Sequence, residues 1–463
     1  MAGGAFAQPA PITSTLSAFV AAGQQATVAE PILALGRLHV LDSLASMVAC
    51  RDLEPAQVAR RYALTQGGGE KTSTILPTRQ RTDLVDAVFA GAMTAHAAEI
   101  NDFIPSAFVQ PGPAILSAAL GLAEQRGSSG AALLKAVIIG YEVAGRVPKA
   151  LGNENLRKAN LANHAIGPVF GTAATAASLI GLDAAEIAQM WSFCAQQAGG
   201  SWQWTLDVEH IEKSFVFAGK GARDGLQAAL MIEGGFHGVR DSLDNPAGWL
   251  KSAIFTGGDA NPSYLTGQLG QRWELTQTAF KRYPTGGPTQ PAVHGLLELL
   301  PRIDRRQVAW VRIEMPGSWQ TFRDAAMPAL SLPYLTAIIL IDGKLDFVAA
   351  QSLSRMRNDT AVRALMAKVE VVHDPAQEAT AGQPRTESAR VLVTMTDGRR
   401  VEAFTPFVPG YPSHPMDRTQ VEAKALELMT PVLGAVRARA VVAQVADLGA
   451  LKRADRLIGM IAS

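Results

Sequence analysis

Cysteine is nearly absent from this chain of 463 residues, which has only Cys50 and Cys194. A metal cluster or zinc ion held by four thiolates of this chain is thereby excluded. Both cysteines lie in apolar helical patterns, where a small buried thiol is the expected state. Charge of one sign is lacking too. The 42 Lys and Arg against 41 Asp and Glu give a formal net charge of +1. Without a polybasic run, the clustered cations that nucleic-acid binding needs are missing. No uninterrupted apolar run reaches the roughly 20 residues of a membrane span, and the most apolar stretch, Ala131 to Val147, carries Lys135 and Glu142. H-E-x-x-H, Walker and G-x-S-x-G motifs are absent as well. Neither nucleic acid nor a membrane is therefore expected as a partner. What is present is an ordinary globular composition, 48% apolar and 18% charged, in a chain long enough for more than one core. The first residues, Met1 to Pro11, hold an Ala5-Phe6-Ala7 step like the end of an export signal, with no apolar core before it. A flexible tail on a cytoplasmic protein is the preferred reading, with a trimmed export signal on a periplasmic one as the alternative.

Helical spacing dominates from Thr13 to about Arg240. Pro31 to Ala49 reads as an amphipathic helix with Pro in its first turn and Ile32, Leu35, Leu38, Leu41 and Leu44 at helical intervals. Asp83 to Ala98 and Gln110 to Leu122 suggest further helices, and Ser129 and Asp183 are placed to cap two more. The rhythm changes after Trp273. Val308 to Met315, Lys368 to Val372, Ala389 to Met395 and Arg400 to Phe404 alternate like strands, the last two around an Asp397-Gly398 hairpin signal. Leu332 to Ile341 reads as a buried helix among them, and helical spacing returns from Arg418. The expected architecture is mainly α with a second α+β domain. It has a helical domain over 13–272, an α+β lid domain over 273–405, and a tail over 406–463 that returns to the helical body.

Three segments together resemble the MmgE/PrpD family. Ala95-His-Ala-Ala-Glu-Ile-Asn-Asp102 followed by Gly112-Pro-Ala-Ile-Leu116 looks like that family's A-H-x-x-D-F-D-D run and the helix after it. Gly140-Tyr-Glu-Val-Ala-Gly-Arg146 is a close match, and Phe280-Lys-Arg-Tyr-Pro284 is similar to the family's K-x-Y-P at the entrance to its lid. Leu41-Asp-Ser-Leu44, Gly234-Gly-Phe-His-Gly238 and Leu332-Pro-Tyr334 add weaker support. The resemblance implies a homodimer whose active site lies in the cleft between body and lid, works without a metal or organic cofactor, and acts on a small carboxylate.

Removing a proton beside a carboxylate adds negative charge to a group that is already negative, so the chemistry calls for a base and for cationic or hydrogen-bonding groups. By resemblance, Lys281, Lys213, His164 and Asp102 are the catalytic candidates; after Lys213 the family pattern aligns only with a shift of one residue. Glu99 stands for the family's first aspartate and Asn101 for its middle one. His96, though inside the matched run, reads as structural. Glu99, Gln203, Trp202, Arg223 and Tyr283 are the candidates for holding substrate: tryptophans and a glutamine can line a pocket, and arginine can clamp a carboxylate with its fork. The departures weigh as much. Val109 and Gly286 stand where the family carries acid or base side chains, Gln290 replaces the histidine of a T-H-P string, and Phe103 replaces a threonine. Either a smaller, less anionic substrate or the use of fewer proton-transfer groups is implied. The leading reading is a (de)hydratase of a small hydroxy-carboxylate. An epimerase or isomerase of a dicarboxylate is the alternative, and a non-catalytic ligand-binding homologue is the third.

Overall fold

A computed structural model describes residues 11–66, 71–380, 387–408 and 410–462. The Ala5-Phe6-Ala7 step lies outside them. The protein is mainly helical with a small mixed sheet. Its helices begin where side chains can cap them. Ser129 accepts from the Ala132 amide at the head of Gly130–Leu151, and Asp183 and Glu186 form a reciprocal capping box on Ala184–Gln197. Asp83 caps Leu84–Ala95, and Gly112–Arg126 stops at Gly127, whose φ of +66° suits a residue without Cβ.

The helical body is built on Glu30–Ala49, Gly112–Arg126, Gly130–Leu151 and Asn163–Ile180, packed through Leu, Ile, Val and many alanines. Small residues at the crossings let these helices approach closely. A Cβ on Gly140 would press into Thr175, and one on Gly171 would lie 2.7 Å from Ala144. Glu30–Ala49 is the one helix among the described residues that is long and apolar enough to cross a membrane. It carries the fully buried polar residues His39 and Asp42 into the body's core, and Arg418–Leu433 returns from the end of the chain to lie against it. Lys424 on that returning helix donates to Asp42 (2.6 Å) and to the Ile100 carbonyl (2.8 Å). Cys50 and Cys194 are buried and free; burial pushes the Cys50 thiol up to about 12, and the Cys194 thiol up as well.

The smaller unit carries a four-stranded sheet in the order Val369–His373, Val308–Met315, Ala389–Met395, Arg400–Thr405. The first pair is parallel and the other two are antiparallel. Ala389–Met395 alternates buried and half-buried residues, as a strand with one face in a core must. Gln290–Leu299 and Leu332–Asp342 pack in the same core, and that core runs on into the helical body through Ala165, Trp204, Val216 and Phe217. The two units therefore meet over a shared apolar wall, and the candidate site lies against it.

Candidate functional site

Glu99 is the centre of the arrangement. It sits in the segment that follows Leu84–Ala95 and is 1% exposed. Its carboxylate meets Lys213 Nζ at 2.5 Å, Lys281 Nζ at 2.8 Å and His210 Nε2 at 2.9 Å. Burial alone would raise this carboxyl; Lys213, Lys281 and His210 outweigh it and hold the group well below the usual carboxylate range. A buried carboxylate with one partner would be a liability, whereas three donors on two oxygens satisfy it.

Two separate local structures supply the three donors. Lys213 lies in the single turn Ile211–Ser214, which begins at His210 with a left-handed φ of +65°. That backbone state is costly for a non-glycine residue and is seen where a side chain must be aimed. His210 Nδ1 is 3.0 Å from Ser214 Oγ, which donates to the His96 carbonyl at 3.0 Å. Directly after this turn comes a π-helical stretch, Phe215–Gly219, and then Lys220–Glu233. A π turn holds one residue more than an α turn, and it falls where the family pattern after Lys213 aligns only with a one-residue shift. Lys281 comes from an extended segment tied on both sides. Ala279 exchanges backbone hydrogen bonds with Phe103 (3.0 and 2.7 Å), and the Phe280 amide donates to the Gly410 carbonyl at 2.9 Å.

His164 opens Asn163–Ile180 and stacks on Phe217, ring centroids 3.8 Å apart. Lys213 Nζ lies 5.1 Å from that same Phe217 ring and 4.6 Å from Trp204, whose ring is 5.7 Å from His164. His164 Nδ1 and Trp204 Nε1 are buried with no hydrogen-bond partner among the described residues. Burial, reinforced by the Lys213 charge, holds His164 well below the usual histidine value. Burial also lowers His96 and His210 and lowers Lys213 despite Glu99 beside it. The site thus presents two lysines, an ionised carboxylate and three neutral imidazoles.

The other candidates stand at varying distance from this cluster. Trp202 lies edge-on to His164 at 5.5 Å and donates through its indole to the Leu161 carbonyl at 3.0 Å. Gln203 is exposed and bonds Glu212 at 2.8 Å, because the 3-10 turn Trp202–Leu206 sends Trp204 inward in its place. Arg223 is committed to its neighbour Asp224 at 3.0 Å and lies over Phe89, so it is not brought to Glu99. The Tyr283 hydroxyl pairs with His294 at 2.8 Å. Asp102 forms no ion pair with either lysine among the described residues. Its Oδ2 accepts from Tyr141 at 2.6 Å and meets His39 Nδ1 at 2.6 Å. The His39 ring stacks on Phe280 at 4.2 Å, so the Asp102 side chain is linked to the segment bearing Lys281 through His39 rather than by a bond to the lysine. His96 Nε2 meets Gln110 at 2.8 Å. Trp204, the second of the tryptophans read from sequence as possible pocket lining, joins the cluster, and His210 and Phe217 complete it without having been named as site residues from sequence.

The departures are filled positions rather than gaps. Val109 is fully buried and packs on Gly167, one turn beyond His164. At Gly286 a Cβ would stand 2.5 Å from Leu330, whose side chain takes up the space. Gln290 is fully buried and clamps the loop after Lys281, donating to the Tyr283 carbonyl (2.8 Å) and to Thr285 (3.0 Å) while accepting from the Tyr283 amide (3.0 Å). Phe103 lies 5.8 Å from Lys281 Nζ.

Family models match both parts of the chain. The models for the MmgE/PrpD N-terminal domain and the MmgE/PrpD C-terminal domain match residues 14–262 and 283–448. A cis-aconitate decarboxylase-like protein of Aspergillus oryzae is 27% identical over 225 residues, 45% of this chain and 44% of that protein. A cis-aconitate decarboxylase of Aspergillus terreus is 27% identical over 241 residues, 49% and 47% of the two chains. The chain therefore spans just under half the length of each fungal relative. A human cis-aconitate decarboxylase is 23% identical over 359 residues, 73% of this chain and 71% of that one. With both domain models matched in order along nearly the whole length, the chain belongs to the MmgE/PrpD family.

Proposed function

We propose that this protein is a lyase that removes water from a small hydroxy-carboxylate by acid–base chemistry. The observation that carries the reading is the meeting of two buried lysines on one buried carboxylate, beside a neutral histidine with an unpartnered ring nitrogen. In the proposed step, the substrate carboxylate binds at the lysines, and Lys281 holds the charge that develops as the adjacent carbon loses its proton. His164 accepts that proton. The freed electron pair forms the carbon–carbon double bond, and the β-hydroxyl leaves as water with a proton supplied by Lys213. A lysine whose pKa is lowered by burial gives up a proton more readily than one in water.

Incubation with a panel of hydroxy-, unsaturated and amino-carboxylates in D₂O, followed by NMR, tests this. New vinyl signals are expected from one hydroxy-acid. Deuterium entering at carbon with the skeleton unchanged would replace the lyase by an epimerase. Silence across the panel would leave the lysines with a binding role only.

The pH profile is a second expectation. His164 must be unprotonated to act, and its pKa lies well below 6.5, so kcat/KM stays level through 6.5 and falls only at lower pH. Lys213 must keep its proton, and its pKa lies below 10.5, so the alkaline fall begins before ordinary lysine titrates. An acid limb centred at or above 6.5 would remove His164 from the proposed role.

A further inference from the structure

We infer that Glu99 sets the charge of this site so that it accepts a substrate with a single carboxylate, one neutral oxygen and an otherwise apolar body. The inference rests on the reading of the cluster as a carboxylate-binding acid–base site. The charges around the reacting position can be counted. Lys213 and Lys281 supply two positive charges, and Glu99, bonded to both, removes one. The three imidazoles add none while they are neutral. Asp207, half-buried, accepts from the Lys213 backbone amide at 2.8 Å and brings a further negative charge to the edge.

Other nearby cations are engaged elsewhere. Lys424 is bonded to Asp42 at 2.6 Å, Arg223 to Asp224 at 3.0 Å, and Arg282, on the surface, faces Glu427 at 3.8 Å. The two lysines and Glu99 by themselves leave one net positive charge, enough to balance one carboxylate, and Asp207 at the edge weighs further against a second. Among the described residues no further cation pairs with Glu99, so a second substrate carboxylate would lie against the apolar neighbours of the lysines, Trp204 and Phe217 beside Lys213 and Phe103 beside Lys281, and an unpaired buried charge is strongly disfavoured. Two of the unpartnered buried atoms, Trp204 Nε1 and His164 Nδ1, suit neutral hydrogen-bonding chemistry. An indole N–H in particular can only donate, which fits a hydroxyl or carbonyl oxygen.

A matched series tests the inference with the full chain: 3-hydroxybutyrate, malate and citrate share the same C–H, carboxylate and β-hydroxyl unit and differ in carboxylate count. Binding is read by calorimetry, and deuterium exchange or dehydration by NMR. Wild type is expected to prefer the monocarboxylate by roughly 10²-fold or more over the tricarboxylate. Glu99→Asp keeps that order because it keeps the charge, and Glu99→Gln moves the preference toward malate.

Tighter binding or faster exchange with malate or citrate in wild type overturns the charge inference while leaving the lyase reading standing. Binding in the expected order with no exchange or turnover by any member does the reverse. No binding by any of the three overturns both. If Glu99→Gln does not fold, the wild-type order and Glu99→Asp still decide.

Discussion

Lys281→Met is expected to lower kcat/KM by about 10²- to 10³-fold, the cost of removing one donor aimed at developing negative charge. The loss falls on kcat as well as KM, since the ammonium serves the charge that builds in the reaction and not only the ground-state carboxylate. The fold is expected to survive. Glu99 keeps Lys213 at 2.5 Å and His210 at 2.9 Å, so no buried carboxylate is left bare. Lys281→Arg does not rescue, because the side chain is 1% exposed and a planar guanidinium fork does not take the place of a compact buried ammonium. A directional signature separates this from simple damage. Lys281 is one of the charges that lower Lys213, so its removal lets the Lys213 pKa rise and shifts the alkaline limb of residual activity upward. Steady-state kinetics across pH, with circular dichroism melts as the folding control, makes the measurement. A folded Lys281→Met protein with undiminished turnover would end the proposed assignment.

The cluster is assembled from residues far apart in the chain, and only part of it could be read there. Lys281 lies 182 residues from Glu99, and no periodicity joins them; the short strings around each carried them. Strands and capped helices were legible because their signals are local. Ala389–Met395 alternates over its full length and Val308–Met315 does so from Trp310 onward, past an irregularity in its pairing, and Asp183 with Glu186 forms the capping box that an Asp ahead of an apolar run suggests.

What local pattern does not carry is direction. Within Trp202-Gln203-Trp204, a 3-10 turn decides that Gln203 faces water and Trp204 faces Lys213. His210 takes part through a left-handed backbone that nothing in its neighbours announces. Arg223 is the instructive case. Its partner Asp224 is the next residue, and an adjacent acid was a visible reason to expect the guanidinium to be spent before it could clamp a substrate. Asp102 shows the opposite. Its string matched, and the structure places it behind the site on His39 and Tyr141, where it holds the segment bearing Lys281 through the His39–Phe280 stack.

The string that matched the family most closely, Gly140 to Arg146, holds the fold rather than the chemistry, and Arg146→Met is expected to destabilise the protein by about 3–5 kcal/mol. The Arg146 side chain is fully buried. It donates to Glu142 Oε1 (2.6 Å) and to the carbonyls of Tyr264 (2.6 Å), Gly267 (2.7 Å) and Arg272 (3.1 Å). The other Glu142 oxygen accepts from the Glu274 amide at 2.6 Å, and Glu274 in turn meets Lys149 at 2.5 Å. One guanidinium thus fastens the 262–274 segment, which leads into the segment bearing Lys281, onto the Gly130–Leu151 helix. Methionine can fill the volume but leaves three carbonyls and a carboxylate without their donor.

The pH dependence of the loss has a definite sign. Burial already pushes the Glu142 carboxyl up, with Arg146 opposing; without Arg146 it rises further above its unfolded value. A carboxyl raised in the folded state binds a proton there that the unfolded chain has released, so stability falls as pH rises through that interval. The deficit of Arg146→Met is therefore larger at pH 8 than at pH 5, and adding Glu142→Gln removes most of the difference between the two. Urea midpoints of the wild type, the single variant and the double variant at both pH values measure it. An unchanged midpoint in Arg146→Met, or a deficit that grows toward acid, would show that this ion pair does not hold the segment.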